Sequence, residues 1–213
     1  LTTSFTFYLF MSILPIYTYN HPALKQAAAP VEQVNEELAT FVKQMFETMR
    51  NADGIGLAAN QVGDPRAVAV IDIGEIEESA SRRPLPPLTL INPVIQYFSD
   101  ETSEAEEGCL SLPTYRDAVT RPEKIQVRFY DLQMHEHTLE AEGLLARVIQ
   151  HELDHLQGIY FFERLSPVRK AMGHPKLRRI QLGHVRTDYP IVSPRNAATS
   201  SLSPSAQARG KKR

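Results

Sequence analysis

The sequence predicts an α+β fold, with mostly antiparallel sheets packed around one central helix, and three observations predict it. Several runs of strand character, among them Ala67–Ile73, Leu88–Ile91 and Lys124–Tyr130, come before the longest apolar-periodic segment of the second half. That segment has Leu144, Leu145, Val148, Ile149, Leu153 and Leu156 at three- and four-residue steps, and Gly158 stands where a helix commonly ends. Another amphipathic segment lies near the start of the chain.

Taken in order, the chain opens on Leu1 with an apolar cluster, Phe5, Phe7, Tyr8, Leu9 and Phe10, and no basic residue. A secretory signal has a charged region before its apolar run and a small-residue cleavage site after it, and neither is evident. The expectation is that Met11 initiates and that residues 1–10 are an upstream or non-native extension. Residues 30–50 form the clearest amphipathic helix, with Val34, Leu38, Phe41, Val42, Met45 and Met49 on one face, and Asn51 to Gly54 stop it. After Gly63-Asp64-Pro65, Ala67–Ile73 reads as a buried strand, and two further strands, Leu88–Ile91 and Val94–Phe98, flank Asn92-Pro93. Between them, 75–87 has loop composition. Asp100 to Glu107 is acidic and expected to be exposed. Lys124–Tyr130 alternates strictly, as a half-buried strand does, and His137–Glu142 is expected to pair back onto it. Beyond the central helix lie a basic helical segment, Val168 to Leu182, and a Ser-, Pro-, Ala- and Lys-rich end from Ser193 whose composition argues disorder. No internal repeat is found.

A chain of 213 residues fits one domain with extensions. Its 42% hydrophobic and 23% charged residues are those of a soluble globular protein, and no run approaches the ~20 apolar residues that cross a membrane. The net charge of −2 conceals a split: from Ser166 onward there are eleven Lys and Arg against one acid, Asp188, so an acidic body carries a basic tail. A nucleic-acid or ribosomal partner for the tail and a merely solvated extension both fit that balance.

The chemistry concentrates in Gln150-His151-Glu152-Leu153-Asp154-His155. Residues four apart lie on one helix face, so His151 and His155 can direct imidazoles at one ion, with Glu152 beside them. By itself this short pattern also arises by chance as a hydrogen-bonded surface pair. Cys109, the single cysteine, lies in Glu107-Gly108-Cys109-Leu110-Ser111. A thiolate and two imidazoles make a three-ligand set that leaves a fourth position open for water; a core cysteine is the ordinary alternative. Gly54-Ile55-Gly56-Leu57-Ala58-Ala59-Asn60-Gln61 matches a dinucleotide fingerprint only superficially, because a helix precedes it and a strand follows. Its glycines permit close backbone approach, so that Gln61 is held near the metal, or it is a tight turn with an exposed Gln; the residues alone leave both open.

These three stretches, in this order and at these separations, resemble peptide deformylase over about Ile13 to Leu182. The resemblance implies a catalytic domain at 11–182, followed by a basic, largely disordered extension at 183–213. It implies that Cys109, His151 and His155 bind the metal, that Glu152 is general base and acid, and that Gln61 and the backbone N–H of Leu110 hold the developing oxyanion. It implies removal of the formyl group from the N-terminal formyl-methionine of new proteins. The nascent peptide would bind as an added strand through Ile55 and Gly56, with Arg116 contacting it further out. Fe2+ is the implied ion, although Zn2+, Ni2+ and Co2+ suit the same ligands. Implied partners are N-formyl-methionyl nascent peptides and the ribosome, through Arg169–Arg179, with no membrane and no sequence-specific nucleic acid, in a bacterial cytoplasm. Two alternatives have their own signatures. A metallopeptidase with another third ligand would leave Cys109 dispensable, and a non-catalytic metal-stabilised module would close the site with a fourth protein ligand. His135 and His137 are the spare histidines nearby.

Overall fold

A computed structural model describes residues 13–74 and 85–194. The expected extension 1–10, Met11, most of the 75–87 loop and the tail past Pro194 lie outside the described residues.

A five-stranded antiparallel sheet forms the frame, in the order β2 (Gly56–Ala58), β3 (Val68–Ile71), β4 (Leu88–Phe98), β7 (Lys124–Tyr130) and β8 (Glu136–Glu142). A separate antiparallel hairpin joins β5 (Thr102–Gly108) to β6 (Arg116–Pro122), and β1 (Ile16–Tyr17) pairs in parallel with β9 (Ile191–Val192). The helices are α1 (Glu36–Asn51), α2 (Gly143–Leu156) and α3 (Pro167–Gln181).

Side chains alternate across a strand, and both faces of β2 and β3 are apolar. Leu57, Val68, Val70 and Ile91 join Leu38, Val42, Met45 and Met49 of α1 in one core. Ala58, Ala69, Ile71 and Leu90 join Ala146, Ile149 and Leu153 of α2 in another. The continuous apolar run of β3 is thus sandwiched between two helices, which is why it does not alternate in polarity.

Several expectations need correction. The first helix begins at Glu36, not at 30, because Asn35 caps it: its Oδ1 accepts the Leu38 N–H at 2.9 Å. The preceding backbone is held extended, with Ala29 bonded to Pro65 and Ala67 and Val31 bonded both ways to the Asn92 amide at 2.8 Å. That same Asn92, at φ 51, marks a register shift within one continuous strand β4, where two strands were expected. The acidic stretch Asp100 to Glu107, largely the strand β5, is exposed as expected at Asp100, Glu101, Glu104 and Glu106, but its last acid, Glu107, is only 5% exposed. Residues 183–194, grouped by the sequence reading with a disordered tail, return to the body: β9 pairs with β1, and half-buried Tyr189 packs against the α1 core. α3, despite Pro175, is anchored by buried Gly173, Leu177 and Ile180.

Candidate metal centre

From Leu145 to Leu156 every residue of α2 is buried, although six of those twelve are polar. A helix with a polar face survives burial only where each polar group finds a partner. Most do. Arg147 donates to Glu107 and to the carbonyls of Val119 and Ser103, and Gln150 donates to the carbonyls of Pro122 and Ala146. Asp154 takes Arg121 at 2.8 Å and is also paired with Arg164. The exceptions are Glu152 Oε2 and His155 Nδ1, buried and without a hydrogen-bond partner. Gly158, at φ +73 just past the helix, cannot be replaced cheaply, since an added Cβ would stand 2.7 Å from the Lys25 carbonyl oxygen.

Cys109, at the end of the β5 hairpin strand, meets the helix from the side. Its Sγ lies 3.1 Å from His155 Nε2, and one ligand atom from each of Cys109, His151 and His155 falls within 4.8 Å of the others. Bond lengths of about 2.3 Å to sulfur and about 2.1 Å to nitrogen put two ligands of a tetrahedral ion about 3.5 Å apart, so the set fits one ion with small side-chain adjustment. Among the described residues this is the one such group. His135 and His137 instead sit with Asp131 on the β7–β8 hairpin, with His137 Nε2 2.7 Å from its carboxylate.

Glu107 is the group the sequence reading missed. It accepts from Arg121 at 2.6 and 2.9 Å, from Arg147 at 2.8 Å and from His151 Nδ1 at 2.9 Å. The available signal was its place two residues before Cys109, but one more acid in an acidic run does not announce a buried partner. Burial alone would raise Glu107; the hydrogen bonds from His151 and Arg121 outweigh it and hold the carboxyl well below the usual range. His151, with Nδ1 held by Glu107, keeps its opposite nitrogen for an ion. Burial would lower His151, yet its hydrogen bonds to Cys109 and Glu107 raise it, so the metal-free site holds a proton there that a bound ion would displace. Burial and then the His151 charge push His155 well below its ordinary value, which leaves a neutral imidazole suited to ligation. Burial raises Glu152 to about 7.

Gln61 is 2% exposed, so it is held rather than displayed on a turn. Its Oε1 accepts the Ala58 N–H at 2.8 Å, which directs Nε2 at Ser111 Oγ, 3.2 Å away, and at Cys109 Sγ, 3.6 Å away. An open cleft of about 620 Å³ runs past these groups, bordered by Ile55, Gly56, Leu110, Arg116, Val148 and Glu152 among others. β2 is the edge strand of the five-stranded sheet and lines this cleft. The expectation that Ile55 and Gly56 both offer backbone bonds to a peptide needs correction: Ile55 gives its carbonyl to the Asp72 N–H at 3.0 Å, so by alternation only Gly56 of the two directs its backbone groups away from β3, toward the free edge. A Cβ on Gly56 would stand 2.3 Å from Glu152 Oε1, so this backbone approaches the carboxylate as only glycine can. Arg116 is exposed at the mouth, 3.6 Å from Glu106.

The sequence model of the polypeptide deformylase family matches residues 13–171. Curated relatives include peptide deformylases of Salinibacter ruber, 46% identical over 185 residues that cover 85% of this chain and 95% of that protein, and of Phenylobacterium zucineum, 42% identical over 169 residues, with 79% and 97% covered. Among solved structures, a peptide deformylase from Legionella pneumophila is 36% identical, with a TM-score of 0.72 over 83% of this chain and 99% of that one.

Proposed function

The chain belongs to the polypeptide deformylase family, and from that premise we propose how its residues divide the reaction. The protein is a metal-dependent hydrolase that removes the formyl group from N-terminal formyl-methionine, at a metal site of Cys109, His151 and His155. A divalent ion held by these three supplies Lewis acidity, lowering the pKa of a water toward about 7 and polarising the formyl oxygen.

Glu152 takes the remaining proton from the attacking water and returns it to the leaving amine. Its buried oxygen without a partner supports this role, since burial of an unpaired carboxylate is costly unless something enters the site to use it. Gln61 Nε2 and the Leu110 N–H meet the negative charge that develops on the formyl oxygen. The peptide lies as a strand against the free edge of β2, bonded by Gly56, with Ile55 lining its path and Arg116 further along. The methionine side chain occupies the apolar part of the cleft beside Val148 and Leu144 of α2.

Fe2+ is the proposed native ion, with Zn2+, Ni2+ and Co2+ as substitutes that thiolate and imidazole accept. The single observation that carries the site reading is Cys109 Sγ against His155 Nε2 at 3.1 Å, which a peptidase with another third ligand does not need. The reading places the protein in the bacterial cytoplasm with nascent peptides as substrate; among the described residues no helix is long and apolar enough to cross a membrane. Exposed Lys176, Arg178 and Arg179 support ribosome contact through α3, whereas Arg169 is engaged with Glu104 and Asp117. Salt-dependent co-sedimentation with ribosomes tests that contact.

The deciding experiment is formate release from a formyl-Met tripeptide by anaerobically purified protein, with metal content measured on the same sample and on Cys109→Ala. Fast release with about one iron per chain, lost together with the ion in Cys109→Ala, is expected. Full turnover by Cys109→Ala would return the site to the peptidase reading.

A further inference from the structure

Behind Gln61 lies a serine to which the division of the reaction gives no part. Ser111 is 0% exposed, and its Oγ accepts from Gln61 Nε2 at 3.2 Å. Gln61 and Cys109 border the cleft whereas Ser111 does not, so the hydroxyl meets the amide from the protein side. The backbone around it is pinned. The Ser111 carbonyl accepts the Tyr19 N–H at 3.0 Å, and the Leu112 N–H donates to the Cys109 carbonyl at 2.9 Å.

We propose that Ser111 is a positioning residue for deformylation, holding the Gln61 amide so that one N–H of Nε2 is engaged by its hydroxyl and the other is presented to the formyl oxygen. This rests on the reading of Gln61 as an oxyanion donor. The last torsion of a glutamine is broad, so the amide of this side chain takes its direction from its hydrogen bonds rather than from its rotamer. The Ala58 N–H on Oε1, at 2.8 Å, decides which end is oxygen and holds that end alone. Ser111 holds the nitrogen itself. Both bonds favour the plane of the amide, so together they stop its rotation. Nε2 carries two hydrogens in that plane, and engaging one sets the direction of the other.

Cys109 Sγ, 3.6 Å from Nε2, is the competitor. A thiolate is a charged acceptor and draws any donor that lacks another partner. Ser111 keeps Nε2 from turning wholly to the sulfur and leaves it beside the ligand set. A donor fixed before charge develops needs no reorientation in the transition state, which is where it contributes most.

Ser111→Ala, which removes only the hydroxyl, is purified anaerobically and assayed with a formyl-Met tripeptide, with kcat expressed per bound ion. The expected result is a fall in kcat of about tenfold, with KM within about twofold of the parent. Metal content and the folded fraction at the assay temperature stay at parental values. Unchanged kcat, or a loss carried only by KM, by metal content or by unfolding, overturns the proposal.

A second substitution separates the proposal from the reading beneath it. Gln61→Met keeps the length of the side chain and removes its amide. If that change alone leaves kcat intact, Gln61 is no oxyanion donor, and the underlying reading fails together with the proposal. If it lowers kcat while Ser111→Ala does not, the reading stands and the proposal falls. With both intact, Ser111→Ala adds nothing in the Gln61→Met background, where there is no amide to hold. A full additional loss there means that Ser111 acts by another route, which also overturns it.

Discussion

Glu107 accepts the Nδ1–H of His151 at 2.9 Å while Arg121 and Arg147 bind the same carboxylate. One buried acid therefore orients a metal ligand and neutralises two buried cations. Replacing it by Gln removes the charge that fixes the His151 ring, and ion affinity falls by about 10- to 100-fold. Competition with a chelator of known affinity measures this, and an unchanged affinity would reduce Glu107 to a purely structural role.

The same carboxylate makes an acid-sensitivity prediction. Its folded-state pKa lies below the ordinary value of 4.5, so its stabilising contribution is complete above that value and is lost as pH falls toward the depressed pKa. Denaturant unfolding of the metal-free protein and of Glu107→Gln should differ most at neutral pH and converge on acidification. A gap that widens toward low pH has the wrong sign for this account.

Glu152→Gln keeps the three ligands and removes the proton acceptor. Metal content is expected to hold while kcat falls by at least about 100-fold. In the parent, burial raises Glu152 to about 7, and the proton-accepting form is the ionised one, so kcat/KM should decline as pH drops below about 7. A nearby cation favours the ionised form and moves this limb to lower pH, not higher. Near-normal turnover by the variant would remove Glu152 from the mechanism.

Gly56→Ala tests the close approach of β2 to the site. Its Cβ would fall 2.3 Å from Glu152 Oε1 and 2.9 Å from Val148 Cγ1, so the carboxylate must swing away or the strand must shift. Turnover is expected to drop by about 100-fold or more, since misplacement of a catalytic group by about 1 Å costs that much, with the ion still bound. Parental kcat in this variant would show that the carboxylate has room the structure does not give it.

Much of the architecture was legible in the sequence because it follows short-range rules. The period of α2 and the alternation of β7 predict those elements without reference to anything distant. His151 and His155 share a helix face through local geometry, and the ordered motifs around Gln61, Cys109 and His155 were enough to imply the family. What failed depended on long-range partners. The start of α1 was misplaced because Val31 is held extended by Asn92, 61 positions away.

The remainder of the site was decided by tertiary structure alone. Glu107 looks like its acidic neighbours until the hairpin places it between two arginines and a histidine; Gln61 is an ordinary turn residue until burial and the Ala58 N–H orient it. Tyr189 joins the centre only because β9 finds β1 at the opposite end of the described chain. Sequence by itself determined which residue types stand at helical and strand periods, because those torsions and faces are local. Which polar groups are buried together, and hence which carboxylate is charged and which imidazole is neutral, depends on contacts between distant segments, and only the folded chain decides it.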